Sequence, residues 1–186
     1  MPPVKKFQRE DIVLAAYNIV KSEGIEGVNA RRIAKELGCS VQPIFHNFAS
    51  MELLYHEVYK KIYQKYQEYL MSSVSKEQPY KQMGLAYIRF AKDYPEFFKL
   101  IFMQKTNLNA EAFVISDAIG KDVIEVGRTL TGLSYEDQKK FHVKVWIFTH
   151  GIACLVATNT VTFTEEEIER LLTDTVREML QGHLHQ

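Results

Sequence analysis

The sequence predicts an all-α protein, on two observations. Apolar residues recur at helical spacing through almost every segment and alternate as strand residues do almost nowhere. The segments are also punctuated by helix starts and stops: Asn29, Ser40, Ser50, Ser134 and Thr164 can cap helices, while Gly24 and Gly38 can end them. No internal repeat and no low-complexity tract is present.

The elements follow in order. Arg9 to Glu23 carries Ile12, Ala15, Ala16, Ile19 and Val20 on one stripe and stops at Gly24. A short helix runs from the Asn29 cap to Leu37 and closes on Gly38. Ser40 caps a third, ending near Phe48. Ser50 opens a long helix with Leu54, Val58 and Ile62 on one face, reaching about Leu70 and so roughly 30 Å in length. After the polar break Ser72 to Lys76, one helix spans about Tyr80 to Asp93 and another begins at Pro95. A further helix is expected over about Ala110 to Thr131. Ser134 and Asp137 form a variant capping box ahead of the apolar helix Phe141 to Thr158. Thr164 and Glu167 form a full box for the last helix, striped by Ile168, Leu171, Leu172, Val176, Met179 and Leu180. The expected layout is an N-terminal three-helix domain over residues 1–52, with a long helix leading into a C-terminal helical bundle over residues 53–186.

Charge and composition narrow the class. The chain has 186 residues, 46% hydrophobic, with 23 Lys+Arg against 23 Asp+Glu. That balance excludes a strongly basic protein that coats nucleic acid indiscriminately, but not a local basic surface. Residues 1–48 hold seven Lys/Arg against five acids, residues 49–70 three against three, and residues 71–186 thirteen against fifteen. Cys39 and Cys154 have no metal-finger or CxxC spacing, so a reducing compartment is expected. No signal-peptide core opens the chain, and the apolar run Val145 to Ala157 is too short to span a bilayer; a soluble cytoplasmic protein, without a membrane partner, is expected.

Residues 29–48 carry the functional signal. Two short helices are separated by only Gly38, Cys39 and Ser40, the spacing of a helix-turn-helix. Ile33, Leu37, Cys39, Ile44 and Phe48 supply a shared core, leaving Gln42, His46 and Asn47 outward. Such a face can enter a major groove, where Gln pairs bidentately with adenine. On spacing alone an ordinary helical hairpin fits these twenty residues equally well.

The wider pattern comprises Arg9-x-x-Ile12-x-x-Ala15-Ala16, Gly24, Ile33-Ala34-x-x-x-Gly38-x-Ser40, Phe48 and Leu53/Leu54. In that order and spacing it resembles the TetR family of bacterial transcriptional regulators. Tyr87-x-x-Phe90-Ala91, Pro95, Phe98 and Trp146-x-x-x-His150-Gly151 resemble the family's Trp-His-Gly type of regulatory domain. The resemblance implies a homodimer on a palindromic operator in double-stranded DNA, released by a small-molecule effector. This chain departs from the family's pattern at Pro43, Phe45, His46-Asn47 and Met51, where hydroxyl and basic groups are usual. DNA contact is therefore expected from Lys5, Lys6, Asn29, Arg31, Ser40, Val41, Gln42, His46 and Asn47.

The C-terminal half offers material for an apolar effector pocket: Tyr87, Phe90, Phe98, Phe102, Phe113, Trp146 and His150. No charge cluster there demands an ionic effector, so a mainly apolar or aromatic compound is expected. The dimer interface is expected on the last two helices, at Phe148, Gly151, Ile152, Cys154, Leu155, Thr158, Ile168, Leu172, Val176 and Met179. His150 and Cys154 stand four residues apart, but two ligands are too few for a metal. No phosphate loop, nucleophile elbow or carboxylate pair suggests an enzyme, and no cofactor or metal is expected. The competing reading is an α-helical enzyme or ligand carrier with a degenerate helix-turn-helix.

Overall fold

A computed structural model of the chain describes residues 7–73, 79–115 and 118–184. These residues form ten α-helices and one 3-10 turn, with no strand among them. The helices are α1 (Arg9–Glu23), α2 (Ala30–Leu37), α3 (Gln42–Asn47), α4 (Met51–Ser73), α5 (Pro79–Asp93), α6 (Pro95–Phe102), α7 (Ala110–Ile115), α8 (Ala118–Thr131), α9 (Tyr135–Ala157) and α10 (Glu165–Leu184). All-α is the observed class.

Local chemistry sets most boundaries. Asn29 caps α2, its Oδ1 accepting from the Arg32 amide at 2.9 Å. Gly38 ends α2 at φ 66°, ψ 38°. The Gly38 amide donates to Lys35 O and the Cys39 amide to Ala34 O, the paired bonds of a left-handed helix stop. Ser134 Oγ accepts from the Asp137 amide at 3.2 Å. Thr164 and Glu167 exchange reciprocal bonds of 3.1 and 2.8 Å.

Two expected boundaries moved. The helix expected from a Ser40 cap begins at Gln42, with Val41 as its cap residue. A Ser40 cap would have placed Pro43 third in the helix, where the side chain needs an amide N–H that proline lacks. The single helix expected over Ala110 to Thr131 is two, α7 and α8, and residues 116–117 between them lie outside the described residues.

The chain forms two compact units. Of the described residues, the first comprises 7–66 with 94–104, so residues 53–66 and α6 pack in one unit with the N-terminal helices. Its core includes Ile12, Ala16, Ile19, Ile33, Ile44, Phe48, Leu54, Val58 and Ile62, all essentially without exposure. α6 packs on α1, with Tyr17 and Phe97 rings 4.8 Å apart. Tyr55 donates to Val28 O at 2.7 Å, pinning the start of α4 to the segment before α2.

The second unit comprises the described residues among 67–93 and 105–184. α5 and α9 make its most extensive helix pairing. Ala86 and Ala153, one on each helix, are fully buried, as are Ile88, Phe90 and Ile124. Small side chains of this kind allow helix backbones to approach. No helix among the described residues is long and apolar enough to cross a membrane.

Candidate nucleic-acid interface

The inner side of α3 is apolar, and the outer side carries polar groups. Ile44 and Phe48 are buried, while Ser40, Gln42 and His46 face solvent. Beneath them is a concave surface of about 770 Å3, lined by Phe7, Gln8, Cys39, Ser40, Gln42, Pro43, His46 and Asn47 among others. The arrangement therefore presents hydroxyl, amide and imidazole groups along one hollow. Cys39, expected in the shared core, is only half-buried there.

Asn47, expected among the DNA contacts, also has bonds within the unit. Its side-chain amide donates to Pro43 O at 2.8 Å and to Phe7 O at 3.4 Å, tying α3 to the chain just ahead of α1. Arg9 completes that tie, donating to Asn47 O at 2.8 Å with its guanidinium 4.0 Å above the Phe48 ring and 3.7 Å from Glu57. The cation thus meets the carbonyl end of α3, where helix-terminal charge favours it. Sequence reasoning placed Arg9 only in a family pattern. A contact across 38 residues has no local signal.

The two neighbouring arginines of α2 divide their roles. Arg32 donates to Glu23 at 2.6 Å and to Glu36 at 2.8 Å. Its hydrogen bonds to Glu23 and then Glu36 push it up from its ordinary pKa, and the Glu23 carboxylate is drawn down by the same bond. Arg31 is exposed beside it and takes no part in that network. Asn29 has its oxygen engaged as a cap, leaving its NH2. Lys5 and Lys6 lie outside the described residues.

In the second unit, four of the seven aromatic pocket candidates come together. Trp146 stacks on His150 at 4.5 Å and 10°, and Phe113 meets the Trp146 ring edge at 5.6 Å. Tyr87 lies 6.2 Å from both Trp146 and His150. Phe90 is fully buried on α5 beside Tyr69, whereas Phe98 and Phe102 belong to the first unit, where they pack on each other and Phe102 on Tyr66. A cavity of about 300 Å3 lies elsewhere, between Gly84 of α5, Val145 and Thr149 of α9, and Leu172, Val176 and Leu180 of α10, with Lys81 and Arg177 also lining it. None of the expected aromatics lines it.

His150 links two partners. Its Nδ1 is 2.9 Å from Tyr87 Oη and its Nε2 is 3.3 Å from Cys154 Sγ. Burial lowers the imidazole pKa and raises the thiol pKa. Both shifts favour the neutral pair, and a thiol held protonated is a poor nucleophile and metal ligand. Among the described residues no three His, Cys, Asp or Glu side chains gather as a metal site would need.

The expected interface residues split by exposure. Ile152, Ile168 and Leu172 are buried within the unit, because α9 and α10 use those faces for their own packing. Phe148, Cys154, Val176 and Met179 are half-buried, and Thr158 is exposed with its hydroxyl bonded to Cys154 O. Gly151 and Leu155 are outward, and a Cβ at Gly151 would meet open space. Ile147, 52% exposed, joins them at i, i+4 and i+8 on α9. It was missed because the helix is apolar nearly all round, which conceals its outer face.

Two family models match the chain. The bacterial regulatory proteins, tetR family, model covers residues 12–58, and the tetracyclin repressor-like, C-terminal domain model covers residues 80–179. No curated protein matches it. Among solved structures, a TetR-like transcriptional regulator from Rhodococcus sp. RHA1 is similar, with a TM-score of 0.68 at 16% identity over 97% of this chain and 100% of that one. A second transcriptional regulator from the same organism has a TM-score of 0.62 at 16% identity, over 95% and 97% of the two chains. A Rhodococcus sp. RHA1 protein of unknown function has a TM-score of 0.68 at 16% identity, over 98% of each. At that identity the likeness is one of fold.

Proposed function

Because the chain belongs to the TetR family of transcriptional regulators, we propose that it is a homodimeric repressor, held on a palindromic operator and released by a small, mainly apolar or aromatic effector. The observation that carries this reading is the outer face of α3: Ser40, Gln42 and His46 exposed over a hollow, behind a turn locked by Gly38. Gln42, Val41 and His46 meet base edges, while Ser40, Arg31, the Asn29 amide and the Lys5-Lys6 arm meet phosphates. Asn47 serves by holding α3 rather than by touching DNA.

The stripe Ile147, Gly151 and Leu155, flanked by Phe148, Cys154 and the outer parts of α10, supports pairing with a second copy. Two such copies place their α3 helices on half-sites about 34–36 Å apart. The effector enters the second unit. The 300 Å3 cavity there suits a small apolar molecule, and the Tyr87, Phe113, Trp146 and His150 cluster is the second surface it can meet. Release requires the effector to bind more tightly to the state whose heads do not match the operator.

Selection of bound sequences from a random duplex pool tests the proposal. Recovery of a palindrome whose retention falls steeply with salt is the expected result. Recovery of no common sequence overturns it.

A further inference from the structure

The outer surface of α3 is divided lengthwise. Gln42 and His46, four residues apart, form a polar stripe. Val41 and Phe45, also four apart, form an apolar stripe beside it. The other flank, Pro43 and Asn47, is tied down by the Asn47 bonds to Pro43 O and Phe7 O. Phe45 is 53% exposed and Val41 38%, although Ile44 and Phe48 next to them are buried. The core of this helix is thus supplied without Phe45. A phenyl ring left half in water gains free energy from any apolar surface that covers it.

We propose that Phe45, with Val41 beside it, reads thymine methyl groups in the major groove and so makes each operator half-site thymine-dependent at one or two positions. The inference rests on the reading of α3 as the helix that enters the groove. Among the four bases only thymine presents a methyl group there. An apolar side chain against that methyl separates T·A from C·G without a hydrogen bond. The phenyl ring carries no hydroxyl to donate to a phosphate, so apolar contact is the interaction its chemistry offers. Gln42 then supplies the hydrogen-bonded part of the code and Phe45 the apolar part, from adjacent stripes of one helix.

The test uses the full chain and the selected operator, with deoxyuridine replacing thymidine at one position at a time. Deoxyuridine keeps every hydrogen-bonding edge and removes only the methyl. At one or two positions per half-site, Kd for the unaltered protein is expected to rise about fourfold, the factor for burying one methyl-sized apolar group. Phe45→Ala is expected to bind more weakly and to lose that sensitivity, and Phe45→Leu to keep part of it. Circular dichroism and thermal melting establish that both variants are folded, as the exposure of Phe45 leads one to expect. Insensitivity of the unaltered protein to every replacement, or full sensitivity retained in Phe45→Ala, overturns the inference while leaving the regulator reading in place. Failure to retain any duplex overturns that reading, and the inference with it.

Discussion

Replacing Gly38 by alanine isolates the backbone's share in the turn between α2 and α3. Gly38 lies at φ 66°, ψ 38°, and a Cβ added there meets nothing within 4 Å. No clash contributes, so the whole effect is conformational. Placing an L residue in the left-handed region costs about 1–2 kcal/mol. Restricting the unfolded chain returns about 0.4–1 kcal/mol. The net is a destabilisation of about 1 kcal/mol, which in a protein of this length lowers the Tm by about 2–4 °C. Gly84 provides a matched control inside α5. Its φ is not positive, and an added Cβ sits 3.7 Å from Leu172 Cδ1, an ordinary contact. Gly84→Ala is therefore expected to stabilise by about 1 kcal/mol through helix propensity. Thermal and urea unfolding, followed by circular dichroism, measure both variants. A Gly38→Ala protein as stable as the original, or two changes of the same sign, would refute the reasoning.

The other predictions concern contacts and charge. Arg31→Ala should weaken operator binding and reduce the salt slope by about one, with the Tm unchanged; Arg32→Ala should lower the Tm slightly by removing the exposed ion pairs to Glu23 and Glu36. Salt titrations and melting curves separate the two, and interchanged effects would reverse the assignment. Ile147→Asp should produce a folded monomer, since the side chain is exposed within one copy but is expected to be buried between two; sedimentation equilibrium showing an intact dimer would move the interface elsewhere. His150, its pKa lowered by burial, contributes stability that is full above the ordinary imidazole value near 6.5 and is lost as pH falls from there to the lowered folded value. His150→Gln should flatten that acid limb in pH-dependent unfolding, and an unchanged limb would assign it to other groups.

Much of the fold was legible because helix ends are local events. The Asn29 cap, the Gly38 stop and the Thr164–Glu167 box each depend on residues within a few positions, and each formed. The start of α3 was misread for an equally local reason, the missing amide of Pro43. The site was legible in part. Gln42 and His46 follow from helical phase once Ile44 and Phe48 face inward, but the duties of Asn47 and Arg9 do not.

By itself, then, the sequence determined the helical class, most element boundaries and which face of α3 stays polar, since propensity, capping and periodicity act over one to four residues. Tertiary structure alone decided that α6 packs with α1, that Arg9 closes the end of α3, and that Ile152, Ile168 and Leu172 turn inward while Ile147 does not. These depend on contacts between residues far apart in the chain. A helix that is apolar on every side carries no pattern to say which neighbour each side will meet.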